Sequence, residues 1–327
     1  MKLLSERDAV RLMNQYGKEG VPFIFVCSYD KTRCIVLPIA EINPEELLFS
    51  FNGHSNDEGM SHEVDTPIMT ADYPSFAEYK RGFDIVQQHI ADGNSSLVNY
   101  TCSVPIDINL SLNDIYHGSS ALFKLWIKNM LVCFSPEIFV RINKKGEISS
   151  YPMKGTIDAT LPDAERLLMD NEKEIREHAD VVKLITNDLS LVAKDVHTKR
   201  YRYIDKIKTS KGCILETSSE VCGTLPDDYC QHIGDILFSQ LPAGSITGAP
   251  KNKTVRIIDE AENYYRDFYT GVMGWFADGV MESGVMIRFI DEHNGRKFFK
   301  AGGGITALSD CHREYEEVKE KVYVPIR

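Results

Sequence analysis

Four short segments of this chain combine residue types that could do chemistry. The first is Tyr151-Pro-Met-Lys-Gly-Thr156, where Lys154 stands directly before Gly155 and Thr156 and just after an expected strand. Such a lysine could be a nucleophile, a cation for a carboxylate, or a surface residue beside a turn. The second is Leu241-Pro-Ala-Gly-Ser-Ile-Thr-Gly-Ala-Pro-Lys251, with Thr247 among glycines and small hydroxyls that lead into Pro250. Proline suits the first turn of a helix, whose free N–H groups and dipole would face an anion; the alternative is a plain loop and capped helix. The third is Ala301-Gly-Gly-Gly-Ile305. Gly302, Gly303 and Gly304 would let the backbone approach a ligand closely, or would make a sharp turn. The fourth is Arg313-Glu-Tyr-Glu-Glu-Val-Lys-Glu-Lys321, which puts Glu314 and Glu317 on one helical face. Paired carboxylates can hold a hard cation such as Mg²⁺; the alternative is a solvated face with a Glu317–Lys321 pair. The glycine fingerprints of nucleotide-binding loops do not fit.

The elements that position these segments are legible in outline. Phe23 to Cys27 and Cys34 to Leu37 read as strands around a polar turn. Ser75 can cap a helix carrying Phe76, Tyr79, Phe83, Val86 and Ile90 on one stripe, stopped by Gly93. Val104, Ile106, Ile108 and Leu110 alternate as in a half-buried strand, and Ile138 to Ile142 with Asn143 to Gly146 and Ile148 reads as a hairpin. A long helical stretch is expected from about Asp163 to Val196, and another helix after Pro250. Strands are expected at Tyr269 to Phe276, Gly284 to Ile290 and Lys297 to Ala301, and a final helix from Asp310. Strands and helices mix without strict alternation, so antiparallel sheets covered by helices are expected rather than a doubly wound parallel sheet.

Composition narrows the partners. The 327 residues suffice for two average domains or one large α/β domain, and 43% apolar with 26% charged residues is ordinary for a globular chain. A net charge of -11 argues against nucleic acid, and it requires a local cationic pocket or a metal for any anionic substrate. No apolar run approaches the ~20 residues of a membrane span, and charges from residue 2 exclude a signal peptide at the start, so a cytoplasmic protein with no membrane partner is expected. The eight cysteines have no C-x-x-C spacing and read as reduced thiols.

Taken in order, Ser245-Ile-Thr-Gly-Ala-Pro-Lys251, Ile287-Arg288, Ala301-Gly-Gly-Gly304 and Glu314-x-x-Glu317 resemble the chorismate-utilising enzymes. That family includes the large subunits of anthranilate synthase and aminodeoxychorismate synthase, isochorismate synthases and salicylate synthases. The resemblance runs from about residue 75 to the C-terminus. It implies an α/β (α+β) fold, a large sandwich of two antiparallel sheets flanked by helices with the active site between them. Residues 75–327 would form the chorismate-binding catalytic domain, with 1–74 a short N-terminal part of the same domain, too short for the tryptophan site of feedback-regulated relatives.

The resemblance also assigns roles. Glu177 and Glu317 match direct Mg²⁺ ligands, and Glu314 a carboxylate acting through metal-bound water. Arg288 and Lys321 match cations around the pyruvyl carboxylate, with Gly302, Gly303 and Gly304 offering N–H groups to it. Thr247, Gly155 and Thr156 match substrate contacts. Lys154 is the most telling position. Anthranilate and isochorismate synthases usually have Ala there, whereas Lys-Gly-Thr resembles aminodeoxychorismate synthase component I. In that chemistry the lysine adds to C2 of chorismate, and ammonia then adds at C4 and expels it. An ordinary lysine is nearly all ammonium at neutral pH, so the site must favour the neutral amine. Leu97 stands where isochorismate and salicylate synthases carry a water-activating lysine.

Three positions depart from the family: Lys183 for an Asp, Thr186 for an Arg, and Glu216 for a His near the leaving C4 hydroxyl. Glu216 either serves as the acid there or is a plain strand residue. No amidotransferase Cys–His–Glu pattern is present, so ammonia would come from a glutamine amidotransferase subunit or the free pool. The expected product is 4-amino-4-deoxychorismate for 4-aminobenzoate and folate synthesis. The alternatives are anthranilate synthase component I or another chorismate-converting enzyme, and a non-catalytic chorismate-binding protein.

Overall fold

A computed structural model describes residues 2–57, 62–209 and 212–326. The segment Phe-Ile-Phe-Val-Cys at 23–27 shows how the sequence builds the frame: it is apolar on both sides because both sides are covered. Ile24 and Val26 pack with Phe49, Phe51, Leu125 and Phe289 in a core between two sheets, while Phe23 and Phe25 turn to Ala9 and Met13 of the helix Glu6–Glu19. Burying each such phenylalanine is worth roughly 2 kcal/mol against exposure.

Both sheets have nine strands and antiparallel pairings. The first runs Met153–Asp158, Gly212–Thr224, Glu147–Ser150, Ile138–Ile142, Val280–Val285, Val272–Ala277, Phe23–Cys27, Cys34–Pro38, with Lys194–Thr209 also paired to Gly212–Thr224. The second runs Gly248–Ala249, Leu97–Ile108, Arg296–Ile305, Phe289–His293, Leu131–Ser135, Phe123–Ile127, Leu47–Phe51, His54–Ser55, with Met69–Ala71 also paired to Leu97–Ile108. This is the expected helix-flanked antiparallel sandwich. The chain passes between sheets at Ser135-Pro-Glu137 and again at Met286-Ile-Arg288.

Helices cover the outer faces. Phe76–Ala91 starts as expected: Ser75 accepts from the Glu78 amide while the Glu78 side chain returns to the Ser75 amide. It packs on Leu97–Ile108 beside Lys251–Ala261 and Cys311–Lys321. Asp310 caps the last of these by accepting from the Arg313 amide. No described helix is long and apolar enough to cross a membrane, and all eight cysteines are free thiols.

Two expectations are corrected. The helix expected over 163–196 is two helices, Ala164–Met169 and Glu172–Leu189, because Asn171 accepts from the Glu174 amide and starts the second afresh. From Lys194 the chain is a strand, where Val196, Tyr203, Ile204 and Ile207 outweigh the charges that suggested a helical face. The stretch Gly284 to Ile290 is broken at 286–288; of the two readings of the glycines at 302–304, the turn does not form and they continue a strand.

Candidate active site

The two sheet crossings meet the glycine strand at a cavity of about 160 Å³. Its lining includes Glu137, Ser245, Tyr269, Arg288, Lys321 and the backbone of Gly302, Gly303 and Gly304. Three predicted segments therefore converge, although they lie far apart in the chain.

The glycines are required by close approach. A Cβ on Gly302 would run into the Tyr100 carbonyl oxygen. On Gly303 it would stand 3.5 Å from Glu314 Oε2 and Lys321 Nζ and 3.7 Å from Glu317 Oε1. On Gly304 it would stand 3.0 Å from Leu97 and 3.5 Å from Lys154 Nζ. Consecutive glycines thus meet the Lys154 amine and the Glu314–Glu317 carboxylates, with no side chain of their own between.

Two cations are fixed on one another. Arg288 Nη1 donates to the Lys321 carbonyl at 2.9 Å, and Lys321 Nζ donates to the Gly302 carbonyl at 2.8 Å and pairs with Glu317 at 2.6 Å. Arg288 holds φ 53°, a costly conformation for a residue with a Cβ, at the crossing between the sheets. The Phe134 amide bonds its carbonyl at 3.0 Å.

Lys154 owes its aim to a bulge. It pairs with Thr217, while Thr156 pairs with the adjacent Glu216, leaving Gly155 as the extra residue at φ 79°. The Thr217 hydroxyl donates to the Lys154 carbonyl. A Cβ on Gly155 would lie 2.9 Å from Glu174 Oε2. Lys154, Gly155, Thr156 and Glu216 do not line the cavity, and Thr156 is exposed. Thr247 is fully buried behind Ile246, its carbonyl bonded by the Asn99 amide at 2.9 Å. The helix start after Pro250 does not line the cavity either; Ser245 and Ile246 of the same loop do.

Two carboxylates near the cavity have raised pKa values. Glu137, which the sequence reading passed over, accepts from Ser245 Oγ at 2.7 Å. Burial raises its pKa, with Ser245, Lys154 and Lys321 pulling back. Glu216 is pushed up to about 7, first by burial and then by the charges of Glu137 and Asp205. The signal for Glu137 was a lone carboxylate between two apolar strands, at a residue that has to cross from one sheet to the other.

Glu177 lies half-buried on Glu172–Leu189. Its neighbour His178 is fully buried, 2.6 Å from Ser219 Oγ, and is pushed down to about 4 by burial and then by Arg202 and Lys154, so the ring is neutral. That contact fixes the helix to the strand opposite Lys154. Lys251 ties the same helix to the 244–251 loop, pairing with Asp188 at 2.7 Å. The departures at 183 and 186 stay clear of the cavity: Lys183 is exposed, and Thr186 Oγ1 donates to the Val182 carbonyl of its own helix.

Glu314 and Glu317 offer hard oxygen donors at one point over Gly303. Among the described residues no three Asp, Glu, His or Cys side chains close on one point. The donor set therefore fits a cation that completes its shell with water and substrate oxygens, as Mg²⁺ usually does.

A sandwich of this topology with a cationic, glycine-walled cavity defines a class, and the sequence matches it throughout. The chain belongs to the chorismate binding enzyme family, whose pattern matches residues 25–327. A Haemophilus influenzae protein, named only as an uncharacterized PabA-like protein, is 46% identical over 314 residues, covering 96% of this chain and 95% of that protein. Aminodeoxychorismate synthase component 1 of Bacillus subtilis is 31% identical over 261 residues, covering 75% of this chain and 54% of that protein. The menaquinone-specific isochorismate synthase of Escherichia coli shares the fold at TM-score 0.74 and 16% identity, over 98% of this chain and 82% of that one.

Proposed function

We propose that this chain is component I of an aminodeoxychorismate synthase, converting chorismate and ammonia into 4-amino-4-deoxychorismate. The observation that carries the reading is the approach of the Lys154 amine to Gly304, whose backbone lines the cavity of Arg288 and Lys321, although Lys154 itself is not part of that lining. The similarity to the Bacillus subtilis component 1 supports it.

The pyruvyl carboxylate lies against Arg288 and Lys321, Arg288 being suited to a two-point grip. The Lys154 nitrogen bonds to C2 of the ring, both double bonds of the conjugated diene shift by one bond away from C2, and the C4–O bond breaks. The leaving hydroxyl takes a proton from Glu137 or Glu216 and departs as water. Ammonia then bonds to C4, both double bonds shift back, and the C2–N bond breaks to return the Lys154 amine. The surplus ammonia proton restores the carboxylic acid. Two displacements leave nitrogen where the hydroxyl was, with overall retention. Mg²⁺ held by Glu314 and Glu317 would neutralise the ring carboxylate, with Glu177, which does not close on one point with them, acting on it through water at most.

On this reading the ammonia comes from a cytoplasmic glutamine amidotransferase subunit, and the product feeds 4-aminobenzoate and folate synthesis. The test is to incubate pure protein with chorismate, Mg²⁺ and an ammonium salt and identify the product by mass and fluorescence. A nitrogen-containing product that keeps its pyruvyl ether is expected. Anthranilate, isochorismate, or bound chorismate without turnover would contradict the reading.

A further inference from the structure

Arg288 lines the cavity from the second sheet crossing, where the Phe134 amide bonds its carbonyl at 3.0 Å. That bond fixes the backbone and says nothing of where a long, flexible side chain points. The direction comes from two groups at the end of the helix Cys311–Lys321. Arg288 Nη1 donates to the Lys321 carbonyl at 2.9 Å, and the guanidinium carbon lies over the Tyr323 ring, 5.1 Å from its centre.

Both groups suit a cation. The last carbonyls of a helix carry partial negative charge, and so does the face of a tyrosine ring. One contact lies along an N–H direction and the other across the face, so together they set the plane of the guanidinium as well as its position. Arginine has five N–H donors, and the Lys321 bond uses one of them. Enough remain on the cavity side for a carboxylate to be held at two points.

Tyr323 is itself held. Val322, before it, is 5% exposed in the core, and the Tyr323 amide bonds the Lys321 carbonyl at 3.2 Å. Further on, Ile326 bridges to Ser119 and stands 3.1 Å from where a Cβ on Gly118 would be. The ring thus sits on a short tail tied down on both sides, and it does not line the cavity.

We propose that Tyr323 is a positioning residue for the pyruvyl carboxylate, acting through Arg288 by holding its guanidinium in the plane of the two-point grip. The inference rests on the reading of Arg288 as the carboxylate anchor. The tail leaves the same helix that carries Glu314, Glu317 and Lys321, so the grip keeps a fixed relation to those carboxylates.

The test uses the full chain with chorismate, Mg²⁺ and ammonium chloride. Tyr323→Leu removes the ring and is expected to raise the chorismate KM roughly three- to tenfold, with kcat and the ammonium KM within about twofold. Tyr323→Phe keeps the ring face and should return the chorismate KM to within about twofold of native. Tyr323→Met takes the place of the leucine variant if that one does not fold. In an Arg288→Lys background there is no guanidinium plane to orient, so Tyr323→Leu should change the chorismate KM by less than about twofold. Fully additive effects of the two substitutions, equal losses in the Phe and Leu variants, or kcat and both KM values moving together would overturn the proposal. The same ratios are expected in the chorismate Kd measured by calorimetric titration without ammonia. A chain that shows them yet incorporates no nitrogen would overturn the amination reading alone.

Discussion

The Lys154 amine stands 3.5 Å from the point where a Cβ on Gly304 would be. One residue earlier, Gly303 bears the same relation to Glu314, Glu317 and Lys321. A stretch of strand without side chains thus separates a lysine nitrogen from a carboxylate pair by little more than its own backbone.

The glycines should separate into structural and functional ones. Gly302→Ala sets a Cβ against backbone that cannot move away, and is expected to destabilise by about 2 kcal/mol or more. Gly303→Ala meets only the ends of flexible side chains at 3.5 Å or beyond, so its Tm should stay within a few degrees while turnover falls. Thermal melts beside kinetics check this. Equal loss of stability in both variants would contradict it.

Arg288→Lys keeps the charge and loses the fork. The expected rise in chorismate KM is on the order of tenfold to a hundredfold. Arg288→Gly should abolish binding just as Arg288→Ala does, but melt higher, because φ 53° strains any residue with a Cβ. Calorimetric titration and melting curves measure the two effects separately.

Glu216 makes stability depend on pH in a defined direction. Its folded pKa of about 7 lies above the ordinary value of 4.5, so the folded state binds the proton more tightly than the unfolded one. Nothing is lost below the ordinary value. Stability falls as pH rises towards 7, to a limit of about 3 kcal/mol above it. Glu216→Gln should therefore melt higher than the native protein at pH 8 and alike at pH 4, while its amination rate drops. Equal melting temperatures at pH 8 would show that the carboxylate is not desolvated as the structure indicates.

Much of the frame was legible in the sequence, because local rules and packing agree there. The capping box at Ser75 and Glu78 and the hairpin turn at Gly146, φ 74°, are set by neighbouring residues. The last residues of the expected helix, Lys194 to Val196, misled because the charged face continues through them, and only pairing with Gly212–Thr224 decides for strand. Within the site, Lys154, Arg288, Lys321 and the glycines stood out by motif. Glu137 and Glu174 did not, since their environment is made by distant segments: Ser245 and Lys321 for the first, Gly155 for the second. Glu216 could be read either way until its proximity to Glu137 and Asp205 was known.

If a divalent cation completes the site over Gly303, chelation should abolish turnover and Mg²⁺ restore it. Glu317→Gln should weaken that restoration by roughly tenfold or more in Mg²⁺ concentration. Because Lys321 pairs with Glu317 at 2.6 Å, the same variant should also raise the chorismate KM by freeing the ammonium group. Full activity in the presence of chelator would remove the metal from the mechanism.

The most direct measurement is intact and peptide mass spectrometry of the protein held with chorismate and Mg²⁺ in the absence of ammonia. The expected result is an adduct of one chorismate less one water on the peptide containing Lys154, discharged to aminated product when ammonium is added. Lys154→Ala should form none and lose turnover by at least roughly 10³-fold. Amination by that variant at the native rate, or turnover of native protein that never carries the adduct, would contradict the account.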